Sequence, residues 1–187
     1  MNDVALGITH IADWQAYDHM LYLLALLARY DLRHAGKAAL LATAFTVGHS
    51  LTLVVASLDL FRVPGTWVEF LIPVTILVTA LWSLRSGEGS PRQRRWSYVM
   101  ASVFGLIHGL GFSSFFRISR DDAAGFLGGL FRFNLGVEVG QLAIVAVMLA
   151  TASLLRAAKV SEREQQLFVC GGAVFLSVVM MFERLPW

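Results

Sequence analysis

The sequence predicts an all-α fold: a polytopic bundle of transmembrane helices that forms a single domain over residues 1–187. The chain is 57% hydrophobic and only 15% charged, whereas soluble domains carry about 25% charged residues. Apolar segments of about 20 residues, long enough to cross a bilayer, recur along the chain. The net charge is only +2 and the basic residues sit in short connectors. The lipid bilayer is therefore the expected partner, and a nucleic-acid-binding surface is not expected.

Six spanning helices are predicted, and charged, Gly-containing or Pro-containing connectors separate them. The first begins behind Asp13, whose carboxylate can accept hydrogen bonds from the free N–H groups of a first turn. The second begins at Lys37, and the third follows Pro64. The basic connector "RSGEGSPRQRRW" precedes the fourth, and charged connectors precede the fifth and sixth. The predicted helices cover residues 14–30, 37–60, 66–84, 96–116, 126–155 and 167–182.

The distribution of Lys and Arg predicts how these helices are oriented. Ten basic residues lie at or near the connectors that follow the first, third and fifth helices, and five lie on the opposite side. Because cytoplasmic connectors carry the excess of Lys and Arg, both termini are expected to be extracytoplasmic. The first spanning segment is then expected to act as its own insertion signal.

Ionisable residues interrupt the apolar helices at one shared depth. Asp18 and His19 lie just past the first turn of the first helix, and His49 and His108 lie near the middle of the second and fourth. Glu138 lies about two to three turns from the outer end of the fifth helix. All five therefore fall in the outer half of the membrane. Charged groups near the membrane centre cost at least about 2.5 kcal/mol, so these side chains are expected to face a cavity or one another.

Two of these helices resemble each other around their histidines. The segments "FTVGHSLTL" and "FGLIHGLGF" align on Phe45 with Phe104 and on His49 with His108. Both helices run from the inner to the outer side in the predicted topology. The likeness indicates either a duplication or two helices that serve one centre.

Imidazoles and carboxylates at similar depth predict a metal site. Neutral imidazole nitrogen and carboxylate oxygen suit a divalent transition metal ion such as nickel, cobalt, zinc or copper. His10 and Asp13, just outside the first helix, are either an outer metal-capture pair or polar surface residues. The single Cys170 can form neither a disulfide within the chain nor a CxxC site. The candidate metal ligands are His10, Asp13, Asp18, His19, His49, His108 and Glu138.

Polar neighbours are candidates for orienting these ligands. Each imidazole needs a partner for its second ring nitrogen. Asn134 and Gln141 flank Glu138 at i−4 and i+3 and share its helical face, and Ser50 and Thr46 lie beside His49 in sequence. The same four side chains can instead join helices by hydrogen bonds.

Four segments resemble the HupE/UreJ family of hydrogenase and urease accessory membrane proteins. They are "GITHIADWQAYDHMLYLLALL", "FTVGHSLTL", "FGLIHGLGF" and "FNLGVEVGQL". The resemblance implies a small multi-pass metal permease of the bacterial inner (cytoplasmic) membrane, with nickel or sometimes cobalt as cargo. Such a role implies partners in metalloenzyme maturation, and the small size is compatible with a homo-oligomer. The residues that match the family pattern are His10, Asp18, His19, His49, His108, Asn134, Glu138 and Gln141.

Three functions remain open at this point. A transporter would pass a divalent ion from Asp18 and His19 to the deeper donors, although Thr43 and Thr46 are among the few polar groups in the cytoplasmic halves. An intramembrane zinc hydrolase would use three histidines, with Asp18 or Glu138 as base, but the chain has no HExxH motif. A haem protein would use His49 and His108 as axial ligands and would have no need of the carboxylates.

Overall fold

The computed structural model describes residues 2–14, 17–57, 63–85, 91–117 and 123–186. Across these residues the fold is all-α, as predicted, and one short 3₁₀ turn accompanies the α-helices. Residues 15 and 16 of the first predicted helix and residues 58–60 of the second lie outside the described part. The elements are α1 Asp3–Ile11, α2 Asp18–Leu27, the 3₁₀ turn Leu32–His34, α3 Ala35–Ser57, α4 Gly65–Arg85, α5 Pro91–Arg117, α6 Ala123–Ala157 and α7 Glu162–Glu183.

Long apolar helices make the molecule a polytopic membrane bundle. Within the described residues, four segments are long and apolar enough to cross a bilayer: Leu32–Ala56, Gly65–Arg85, Leu127–Ala157 and Glu162–Glu183. Their outward faces carry large apolar side chains, and Phe168 is 85% exposed in the isolated chain. Soluble monomers rarely expose such surfaces widely, so these faces fit contact with lipid. α5 has 27 residues but lacks the composition of the other four.

The N-terminal region differs from the single helix predicted over residues 14–30. It forms two short helices, and the second begins only at Asp18. α2 begins five residues after Asp13, and Tyr17 rather than Asp13 occupies its N-cap position. α2 has 10 residues and therefore spans about 15 Å, half of a bilayer core of about 30 Å. It enters the bundle without crossing it.

α1 is held against α6 by direct contact between backbones. A Cβ atom on Gly7 would lie 2.1 Å from the carbonyl oxygen of Phe133, and one on Gly136 would lie 2.1 Å from that of Val4. Only glycine permits an approach this close, as in other membrane helix pairs built on small residues. At the start of α1, Asp3 accepts a hydrogen bond of 2.8 Å from Arg132 Nε. This packing holds the end of α1 over the core of the bundle.

α3 and α5 also pack through glycine. A Cβ atom on Gly105 would lie 2.2 Å from the carbonyl oxygen of Phe45, and one on Gly109 would lie 2.4 Å from that of His49. Residues 45 and 49 therefore face residues 105 and 109 in the same order, so the two helices are parallel. Because the glycines set this register, His49 and His108 lie at one depth. The two similar segments of the sequence thus serve one region of the bundle.

Asp31 joins three elements at the opposite end of the bundle, where the basic connectors collect. Its carboxylate accepts hydrogen bonds from Arg33 Nε and Arg156 Nη1, both at 2.8 Å. The same Arg156 donates to the carbonyl oxygen of Arg29 just after α2. Hydrogen bonding by Arg33 is the main cause that lowers the pKa of Asp31 to about 2. Glu162 at the start of α7 lies 3.6 Å from Arg29 and 3.5 Å from Arg156, so two carboxylates hold this end together.

Candidate metal centre

Three imidazoles from three helices meet near the beginning of α2. One ring nitrogen each from His10, His19 and His49 lies within 4.8 Å of the other two. The ring centroids of His10 and His19 are 5.0 Å apart, and those of His19 and His49 are 5.7 Å apart. Bonds of about 2.0–2.1 Å from metal to imidazole nitrogen would need only a small further approach of the rings. α1 supplies His10, α2 supplies His19 and α3 supplies His49.

The chemistry of His49 fits a metal ligand. Its side chain is 0% exposed, and among the described residues neither ring nitrogen has a hydrogen-bond partner. A buried polar atom left without a partner costs about 1–3 kcal/mol. A neutral imidazole always has one nitrogen with a free lone pair, and a divalent metal ion would satisfy it.

His108 borders the trio and is oriented by a residue from α4. Its ring centroid is 5.0 Å from that of His19, and its Nε2 is 2.9 Å from the hydroxyl oxygen of Thr75. The Thr75 hydroxyl donates its single hydrogen to the carbonyl oxygen of Ile72 at 2.7 Å. With its hydrogen used in that bond, the hydroxyl oxygen can accept from Nε2–H, an arrangement that places the lone pair of His108 on Nδ1. That Nδ1 atom is buried and has no hydrogen-bond partner within the described part of the chain.

Asp18 supplies the negative charge beside the imidazoles. Its Oδ1 atom lies 3.0 Å from Nδ1 of His19 and accepts a hydrogen bond of 2.8 Å from the His19 backbone N–H. Its Oδ2 atom lies 3.6 Å from the guanidinium of Arg184, which follows α7. The carboxylate is buried. The free-energy cost of burying its charge is lowered by the Arg184 cation on one side and by the imidazole cluster on the other.

Two of the candidate ligands do not join the trio. Glu138 Oε1 accepts a hydrogen bond of 2.6 Å from the hydroxyl of Thr43. Thr43 precedes His49 by six residues, which is about 9 Å along α3 toward the end of the bundle that contains Asp31. Asp13 is exposed in the segment that follows α1.

The four residues expected to orient the imidazoles make bonds between helices instead. Ser50 donates to Asn134 Oδ1 at 2.7 Å, and Gln141 Nε2 donates to Thr46 at 2.9 Å. Both bonds join α3 to α6, so they correspond to the helix-joining alternative. Asn134, Glu138 and Gln141 do share a helical face, but that face is directed at α3.

Aromatic side chains that sequence reasoning missed enclose the cluster. The ring of Phe45 lies 5.2 Å from that of His108, and the ring of Tyr22 lies at the same distance on another side. Phe133 packs against His10 at 5.6 Å between ring centroids. Two of them leave a signal in the sequence, since Tyr22 follows His19 by three residues and Phe45 precedes His49 by four. Such spacing places an aromatic ring beside an imidazole on one helical face. An apolar wall limits solvent access to the donors.

A bundle of apolar spanning helices with buried imidazoles defines a multi-pass membrane protein whose core can bind a metal ion. The family model described as "HupE / UreJ protein" matches residues 1–184. The chain belongs to the HupE/UreJ family, as its motifs indicated. No curated protein and no solved structure matches the chain.

Proposed function

We propose that the protein transports divalent nickel or cobalt across the bacterial cytoplasmic membrane, with the imidazole cluster as its binding site. The observation that carries the proposal is His49, a fully buried imidazole that has no hydrogen-bond partner in the described part of the chain and lies within ligand distance of two others. The family supports nickel or cobalt as the cargo. Since intrinsic affinity rises from cobalt through nickel to copper, discrimination against copper must come from the geometry of the site.

The orientation of the bundle supports uptake from the outer side. The cluster lies near α1 and the beginning of α2, and the basic connectors gather at the other end. The positive-inside rule then places the cluster in the extracytoplasmic half and both termini outside the cytoplasm. An ion from the periplasmic side would meet Asp18 and His19 first.

The structure offers less support for a hydrolase. Such an enzyme needs a carboxylate base beside the metal and an open position for water. Arg184 lies against Asp18, and Glu138 is engaged by Thr43. Aromatic rings close the cluster on several sides.

A haem between His49 and His108 is also poorly supported. The macrocycle would have to lie between the two rings, and therefore between α3 and α5. Those helices touch through their backbones at Gly48, Gly105 and Gly109. This backbone contact between α3 and α5 leaves no space for a porphyrin.

Nickel binding and transport by the purified protein test the proposal. We expect wild-type protein in liposomes to accumulate nickel, and His49→Ala to lose both binding in detergent and uptake. His34→Ala is the matched control for binding, because His34 bonds Asp31 at the inner end, and it should bind nickel like the wild type. Normal uptake by His49→Ala would refute transport through this cluster.

A further inference from the structure

A second polar space lies at the inner end of the bundle. It is a cavity of about 400 Å³ between the ends of α2 and α4 and the beginnings of α3, α5 and α7. Its walls include Leu26, Tyr30, Thr79, Ser83, Arg94 and Glu162. None of the imidazoles of the cluster borders it.

A line of hydroxyl groups on α4 joins the two regions. Thr75, Thr79 and Ser83 recur every four residues and are all buried, so they form one stripe along the helix. Thr75 bonds His108 at the cluster, and Thr79 and Ser83 line the cavity. Thr75 and Thr79 are one turn apart, about 6 Å. The cluster and the cavity are therefore separated by a single helical turn.

Tyr22 occupies the space between the cluster and the cavity. Its side chain is 0% exposed, and its ring lies 5.2 Å from His108 and stacks on Phe45 at 4.8 Å. On α2 it lies between His19, which belongs to the cluster, and Leu26, which lines the cavity. Its buried hydroxyl faces the side chain of Thr79, which lines the cavity. Tyr22 therefore contacts both regions.

We propose that Tyr22 is the inner gate of the transport path, and that the Thr75 and Thr79 hydroxyls carry the ion from the imidazoles to the cavity. This inference rests on the proposed function. Rotation of the Tyr22 ring would open the space between the cluster and the cavity. The threonine hydroxyl oxygens would replace part of the hydration shell of the ion as it passes. The cavity holds a dication weakly, because Arg29, Lys37 and Arg94 face the single carboxylate Glu162 across it. The ion is therefore released rather than retained.

Matched threonine variants test the path. Thr79→Val keeps the shape of the side chain and removes its oxygen, and we expect nickel binding in detergent to be unchanged. Uptake into liposomes should fall by about tenfold or more, the rate effect of losing one ligand in the transition state. Thr151→Val is the control, because the exposed Thr151 also bonds the carbonyl oxygen four residues earlier, and it should transport normally. Tyr22→Ala should transport nickel but dissipate a nickel gradient, as an open path would.

The outcomes separate the gate from the proposed function. Normal uptake by Thr79→Val and a retained gradient in Tyr22→Ala would overturn the path, while loss of uptake in His49→Ala would still support transport. A wild-type protein that binds nickel but does not move it would overturn both.

Thiol labelling tests the gate without any flux measurement. With the only cysteine replaced by Cys170→Ala, Thr75→Cys should resist a membrane-impermeant thiol reagent applied from the inner side, and Thr79→Cys should react. Adding Tyr22→Ala should make Thr75→Cys reactive. If Thr75→Cys reacts equally with and without Tyr22, the tyrosine is not the barrier.

Discussion

At the scale of single residues, the site consists of donors whose hydrogen bonds are incomplete. His49 and His108 are buried, and the described part of the protein supplies few partners for their ring nitrogens. Such groups destabilise the metal-free protein. Residues retained at a cost to stability are typical of functional sites.

Replacement of His49 by leucine should separate stability from binding. We expect His49→Leu to melt at the same temperature as the metal-free wild type or higher, because an apolar side chain of similar size removes two unsatisfied nitrogens. At a nickel concentration one hundred times the dissociation constant, binding should add about 2.7 kcal/mol to the free energy of unfolding of the wild type and so raise its melting temperature. Nickel should have no effect on the variant. A metal-free variant much less stable than the wild type would contradict this account.

Thr75 should control which nitrogen of His108 faces the cluster. Thr75→Val removes the acceptor for Nε2–H, so the ring loses its preferred tautomer and orientation. We expect nickel affinity, measured by calorimetry, to fall by about ten- to hundredfold. Thr75→Ser should restore it, since serine retains the hydroxyl, and Thr79→Val should leave it unchanged. Equal affinities in all three variants would mean that Thr75 does not position His108.

At the scale of helices, glycine contacts assemble the site. α1 is only nine residues long and contributes His10 because Gly7 and Gly136 let it lie directly on α6. Without that contact, a short helix outside the spanning segments would have little to hold it in place.

A side chain at Gly136 should remove His10 from the cluster. Gly136→Leu would place atoms against the carbonyl oxygen of Val4, where even a Cβ would lie at 2.1 Å, and α1 would have to move. We expect nickel affinity to fall as far as in His10→Ala, and the double variant should lose nothing further, because both changes remove the same ligand. Gly171→Ala is the control, since a Cβ there meets nothing within 4 Å. Additive losses in the double variant would show that α1 stays in place.

The sequence predicts the long helices well and the assembly of the site only in part. Apolar length is a local property, so α3, α4, α6 and α7 follow from composition. The depth shared by His49 and His108 also follows, because each lies mid-helix in a parallel pair. α1 was not predicted, because a helix of only nine residues outside the long apolar stretches depends on its packing against α6. Glu138 as a ligand stays a prediction; its contact with Thr43 of α3 depends on the arrangement of the helices, which a single sequence does not contain.

At the scale of the whole molecule, the two ends of the bundle are built differently. One end holds the imidazole cluster, and the other end is closed by ion pairs around Asp31. Since Asp31 joins the end of α2, the 3₁₀ turn and the end of α6, its charge is expected to support the entire bundle.

Acid should therefore lower the stability that Asp31 contributes at its end of the bundle. The pKa of Asp31 is lowered in the folded protein to about 2 from an ordinary 3.8, so the folded state favours the charged form. Its contribution to stability is complete above about pH 4 and is lost as the pH falls toward about pH 2. Asp31→Asn should melt at a lower temperature than the wild type at neutral pH, and the difference should shrink over this range. Asp3→Asn is the control, because its pair with Arg132 is exposed and contributes little. A difference that does not change with pH would contradict the role of the charge.

The backbone contact between α3 and α5 limits how the cluster can adapt to its ion. His49 and His108 are mounted on one rigid frame, and the distance between their anchor points cannot vary much. His10 is held in a similar way, because α1 lies directly on the backbone of α6 at Gly7 and Gly136. Among these helices, α2 has no glycine contact of this kind, so a change in ionic radius is absorbed mainly by the ring of His19, and variants with altered metal preference are to be sought around it.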